Sequence, residues 1–125
     1  MRVLHTDNAP EAIGPYSQAV EAGGFLFSAG QIGLIPGTGE FAGEDVETQT
    51  AQVFKNLGAI LRDAGLSFSD VVKTTVYLAD MGEFALVNTI YANHFSPPFP
   101  ARSTVAAAGL PKGARVEIDV VARRP

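Results

Sequence analysis

A few residues in this chain have the type and setting to do chemistry. Arg102 follows Phe99-Pro100-Ala101, so a stiff loop delivers it to the start of a strand. A guanidinium held that way can grip a carboxylate through two parallel hydrogen bonds. Taken alone, it reads more simply as an exposed arginine in a surface pair worth at most about 1 kcal/mol. Glu117 lies in Arg115-Val116-Glu117-Ile118-Asp119-Val120, where strict alternation puts Val116, Ile118 and Val120 on one face and Glu117 and Asp119 on the other. Two carboxylates on one face can do acid–base work if that face is covered; uncovered, they are a wet strand face, the plainer reading. Tyr16, after the Gly14-Pro15 turn, either caps a core edge or lines a pocket. Asn88 sits among Leu86, Val87 and Ile90 in a helical segment, where an amide can simply face water.

Other candidates fall away. His5 and His94 are isolated, with no ligand spacing and no acidic partner, and read as structural or surface residues. Ser28, Ser103 and Thr104 have no histidine base placed near them in sequence, so nothing supports a serine triad. The glycines match neither a phosphate loop nor a dinucleotide fingerprint, so no nucleotide cofactor is implied.

Strands and helices must position these residues. Val3 to His5 predicts a short strand, followed by an Asp7–Pro10 turn. Ser17 to Ala22 and Phe25 to Ala29 predict a hairpin across Gly23-Gly24, a pair that permits positive φ angles. Apolar residues at Val46, Val53, Leu57, Ile60, Leu61 and Ala64 predict a helix over 46–64, with Gln49, Gln52, Asn56 and Asp63 on its other side and Gly65 as its stop. Val71 to Ala79 predicts a strand. Glu83 to Phe95 predicts a second helix, ended by Ser96-Pro97-Pro98. Ser103 to Ala107 and Arg115 to Arg123 predict the last two strands. This order suggests a single α+β domain over residues 1–125, one sheet with two helices packed on one face. Phe25-Leu26-Phe27 is apolar on both sides of its strand, which would leave the open face hydrophobic and favours oligomerisation through it.

Composition narrows the function further. The formal charge is −4 and apolar residues make up 46% of the chain, at the upper end of the ordinary range, which hints at surface buried beyond the monomer. The basic residues are scattered, so the cationic footprint of a nucleic-acid binder is missing. There is no cysteine, which excludes disulfides, thiol nucleophiles and cysteine-type zinc sites, and fits a reducing compartment. The first ten residues carry Arg2, His5 and Asp7 and no apolar core of a signal peptide, and no apolar run approaches the ~20 residues of a membrane span. A cytoplasmic protein that binds no membrane is expected.

Several segments together resemble one family. Ala12-Ile13-Gly14-Pro15-Tyr16-Ser17-Gln18-Ala19, Ser28-Ala29-Gly30-Gln31-Ile32-Gly33, Lys73-Thr74-Thr75-Val76-Tyr77-Leu78, Phe99-Pro100-Ala101-Arg102-Ser103-Thr104-Val105, Leu110-Pro111-Lys112 and Val116-Glu117-Ile118-Asp119 resemble, in order and spacing, the motifs of the RidA (YjgF) family. The resemblance implies a chorismate-mutase-like homotrimer with a ligand cleft at each subunit interface. It also implies deamination of reactive 2-imino acids such as 2-iminobutanoate and 2-iminopropanoate, released by pyridoxal-phosphate enzymes. On matching positions, Arg102 would hold the substrate carboxylate, Glu117 would orient and activate the attacking water, Tyr16 would line the cleft and Asn88 would help shape it. Backbone groups around Gly30 and Thr104 would contact the ligand. No metal or cofactor is implied. Many relatives carry serine where this chain has Ala29 and cysteine where it has Thr104, which bears on substrate range but touches neither Arg102 nor Glu117. The alternatives are a family member that binds a keto acid without turnover, and an RNA-directed activity, against which the acidic balance argues.

Overall fold

The computed structural model describes residues 1–125. Six strands form one sheet: β1 (Arg2–Leu4), β2 (Ala19–Ala22), β3 (Phe25–Ser28), β4 (Val71–Leu78), β5 (Ala101–Ala106) and β6 (Val116–Arg123), in the order β1-β2-β3-β6-β4-β5. All neighbours run antiparallel except β4 and β5, which are parallel and joined by a helical crossover. The helices are α1 (Val46–Asp63) and α2 (Phe84–Ala92). None is long and apolar enough to cross a membrane.

Alternation decides which strand residues meet the helices. Leu26, Thr74, Val76, Leu78, Val116, Ile118 and Val120 are buried against Val53, Phe54, Leu57, Ile60 and Leu61 of α1 and Val87 and Tyr91 of α2. Helix α1 starts where Asp45 Oδ2 accepts the Thr48 N–H at 2.9 Å, and it stops at Gly65, whose φ of 74° suits glycine. Helix α2 ends at Ala92, three residues before the expected Phe95. Its last turn tightens as the Asn93 and His94 N–H groups donate to Ile90 O and Tyr91 O, three residues back. Phe95 still reaches the core, beside Phe54, Phe68 and Tyr91. His94 stacks on Phe54 at 4.2 Å between centroids, a structural place that lowers its pKa through burial.

Two residues expected on the polar side of α1 are buried instead. Asn56 donates to Leu34 O at 3.0 Å and to Ile32 O, and Gln49 donates to Gly43 O at 3.0 Å while its Oε1 accepts the Arg115 N–H. They hold the irregular 29–45 segment, whose backbone has few ladder partners, over the helix. Gln18 does the same for the amino-terminal segment: its side chain accepts from Thr6 N and donates to Thr6 O, Ala9 O and Pro10 O.

The other sheet face has no helix on it. Val3, Val20, Phe27 and Val121 make an apolar row across it, and Phe27 is 44% exposed while Leu26, on the opposite side of the same strand, is wholly buried. The exposed hydrophobic surface expected from Phe25-Leu26-Phe27 is therefore present.

Candidate active site

Strand β5 begins at Ala101, two residues earlier than the expected Ser103, so Arg102 is itself a strand residue. Its Cα pairs with that of Thr74, which points into the core, so Arg102 lies on the helix side of the sheet at its edge. Thr104, opposite buried Val76, shares that face and is half-buried. Helix α2 receives the arginine. Nη1 donates to Asn88 Oδ1 at 2.7 Å, and the guanidinium carbon stands 4.6 Å above the Tyr91 ring and 5.4 Å from that of Phe84. Residues 84, 88 and 91 recur at spacings of four and three, so one helix stripe makes the whole cradle. Beside it opens a hollow of about 440 Å³ lined by Asn88, Tyr91, Phe99 and Arg102. Asn88 thus faces the arginine and not simply water.

Glu117 sits across the sheet, on the open face. The Gln31 and Ile118 backbones bond to each other in both directions, at 2.9 and 3.1 Å, which draws Gly30 against Glu117. A Cβ on Gly30 would stand 2.7 Å from Glu117 Cδ, so the glycine makes room for this carboxylate. Tyr16, whose Oη accepts the Ile13 N–H at 3.3 Å, lines the same cleft of about 290 Å³ with Gly30, Glu117, Ile32, Leu34 and Pro111. Tyr16 is mostly exposed, so it borders a pocket and does not cap the core.

Register places Tyr77 opposite Glu117 and Thr75 opposite Asp119, with Lys73 at the end of the same row. Burial pushes the Glu117 carboxyl above its ordinary range, and the charge of Asp119 adds to the effect. Asp119 is also raised by burial, although Lys73, Thr75 and Tyr77 pull it the other way. The Tyr77 phenol is pushed up, chiefly by the Asp119 charge. The row Lys73-Thr75-Tyr77 follows from the period of two in β4, a signal that placed it in the central strand without linking it to Glu117.

The six candidate residues therefore fall into two groups. Arg102, Asn88 and Thr104 lie on the helix side, and Tyr16, Gly30 and Glu117 on the open side. Within one chain the sheet separates them. The first group can bind an anion and the second can take up a proton.

The chain is similar to several known proteins. The family model described as Endoribonuclease L-PSP matches residues 6–124. Reactive Intermediate Deaminase A, chloroplastic, of Arabidopsis thaliana is 52% identical over 120 residues; the match covers 96% of this chain and 64% of that protein. The 2-iminobutanoate/2-iminopropanoate deaminase of Mus musculus is 48% identical over 121 residues, covering 97% of this chain and 90% of the mouse protein. In three dimensions, the structure of E. coli TdcF with bound serine superposes with a TM-score of 0.93 at 40% identity, covering 100% of both chains. With the family model matched over nearly the whole chain and these relatives about half identical to it, the chain belongs to the RidA/YjgF family, the one that the Endoribonuclease L-PSP model describes.

Proposed function

We propose that the protein hydrolyses reactive 2-imino acids, 2-iminobutanoate and 2-iminopropanoate among them, to 2-keto acids and ammonia, at sites formed between the subunits of a homotrimer. The observation that carries this reading is the placement of the Arg102 and Glu117 groups on opposite sheet faces. A substrate of a few atoms cannot reach Arg102 and Glu117 of the same chain, so the helix-side edge of one copy must meet the open face of another. The exposed row containing Phe27 gives that face a reason to be covered. Two relatives are named as deaminases, and TdcF is described with bound serine, a small molecule that bears a carboxylate.

In the proposed reaction the Arg102 guanidinium, one N–H given to Asn88, turns its remaining donors to the substrate carboxylate. The imine carbon is already electrophilic. Glu117 takes a proton from water as its oxygen bonds to that carbon and passes that proton to the imine nitrogen, giving a carbinolamine. The same carboxylate then takes the proton of the new hydroxyl and gives it to nitrogen as the C–N bond breaks, releasing ammonia and leaving the keto acid. Water is consumed and nothing is oxidised or reduced. A raised pKa suits Glu117 to both directions of transfer. The family description includes an endoribonuclease, but a net charge of −4 offers a phosphate backbone little.

The test is a coupled assay in which threonine dehydratase supplies the imine and semicarbazide traps what has not hydrolysed. Trapped imine should fall with added protein. No fall, with the trimer intact by sedimentation, would leave a ligand-binding protein.

The acid limb should report Glu117. Because the base must be ionised, kcat/KM should decline as pH drops through a pKa above the usual carboxylate range. Asp119→Asn removes a negative neighbour, eases ionisation of Glu117 and should shift that limb to lower pH; an unmoved limb would disconnect the two carboxylates. Gly30→Ala should lower kcat/KM by about 10–100-fold, because its methyl must displace the Glu117 carboxylate by roughly 1 Å. Gly30 is absent from the positive-φ glycines, so alanine meets no backbone strain, and the melting temperature should barely change.

A further inference from the structure

We infer that Tyr91, locked by Thr74, is a positioning residue for the carboxylate site: its ring is the platform that orients the Arg102 guanidinium toward the ligand. The inference rests on the reading of Arg102 as the carboxylate holder. Three observations carry it. The guanidinium carbon lies 4.6 Å above the centre of the Tyr91 ring, nearer than the Phe84 ring at 5.4 Å. Tyr91 is only 7% exposed, yet its ring borders the hollow beside Arg102, so one face packs on the core and the other receives the arginine. Its hydroxyl and that of Thr74, a fully buried residue, stand 2.8 Å apart.

The chain of contacts is short. Thr74 pairs with Arg102 across the β4–β5 ladder, so the residue that anchors the ring and the residue that lies on it start from neighbouring backbone positions. Arginine ends a long side chain with many rotamers, and an exposed one samples them unless something holds it. Asn88 fixes one nitrogen; a flat ring beneath the guanidinium fixes its plane, which is what a two-point grip on a carboxylate requires. The tyrosine hydroxyl does not contact the arginine in this arrangement. Its bond to Thr74 pairs two buried hydroxyls and contributes to stability, because it would be left unmade if either hydroxyl were removed alone.

Tyr91→Leu, Tyr91→Phe and Arg102→Ala separate this role from a merely structural one. The readouts are the dissociation constant for 2-oxobutanoate by calorimetry, KM and kcat for the imine, and the melting temperature of the trimer. Binding of the keto acid needs no turnover, so it is informative even if the protein deaminates nothing. Tyr91→Leu should weaken 2-oxobutanoate binding about 10-fold and raise KM similarly with kcat little changed, the effect of losing a stacking contact of ordinary strength. Tyr91→Phe keeps the ring and should bind within about 2-fold of the native protein, although it melts earlier because Thr74 loses its partner. That split, binding lost with the ring and stability lost with the hydroxyl, is not what a simple packing role produces. Should Tyr91→Leu fail to assemble, Tyr91→Met supplies the same comparison. Native affinity in the ring-less variant, with affinity lost in Arg102→Ala, would overturn the positioning role alone. Native affinity in Arg102→Ala would overturn the carboxylate clamp, and this inference with it.

Discussion

Arg102→Ala is expected to lower kcat/KM for 2-iminobutanoate by about 100- to 1000-fold while the fold and its melting temperature survive. Two charge-assisted hydrogen bonds to a carboxylate, each at the low end of roughly 1.5–3 kcal/mol because the arginine is exposed, set that range. The fold should tolerate the change because the side chain is exposed and leaves by the sheet edge, and Asn88 loses a partner that water can replace. The loss should fall on KM and on 2-oxobutanoate binding at least as heavily as on kcat, since substrate and keto acid share the carboxylate. Lysine should restore the charge but not the forked geometry, and so only part of the loss. Undiminished turnover in Arg102→Ala would remove the arginine from the mechanism.

Glu117→Gln should act on the other half of the reaction. The amide keeps the size of the side chain beside Gly30 but cannot accept a proton from water, so kcat should drop by about 10²–10⁴-fold, the usual worth of a positioned general base. Keto-acid affinity should stay near native, because Arg102 is intact. An unchanged rate would assign the water to some other group. The two variants also test each other. Each proposed site takes Arg102 from one subunit and Glu117 from its neighbour, so an equal mixture allowed to exchange subunits should regain up to about a quarter of the native sites, although neither variant is active alone. No recovery in verified mixed trimers would place both residues in one chain's site, against the geometry of the sheet.

How much of this could be read beforehand depended on the range of the signal. The placement of Glu117 and Asp119 on one face followed from alternation within β6 and is correct. The face of Arg102 was not legible, because it is set by parallel pairing with Thr74, a partner 28 positions away in sequence that no local pattern announces. The Arg102–Asn88 contact was equally hidden, since each residue taken alone is an ordinary polar side chain. Gln49 and Asn56 looked like surface residues only because amides usually are. Yet positions 49, 53, 56 and 60 recur at spacings of four, three and four, the very stripe that carries Val53 and Ile60. What concealed their burial was the covering layer, an irregular segment over 29–45 with no period to betray that it packs on α1. Helix ends were legible to within a few residues. Gly65 stopped α1 as its flexibility demands, whereas α2 tightened and ended early, ahead of the Ser96-Pro97-Pro98 run.

The division of the candidate residues between two sheet faces has a genetic consequence under the proposed trimer. A chain that has lost Arg102 alone spoils only one of the two sites it borders, and the site on its other side still works with a sound neighbour. A chain that has lost both Arg102 and Glu117 spoils both. An allele of the second kind, expressed beside a normal copy, would therefore be the more dominant, although as a homotrimer it is no more defective than the first.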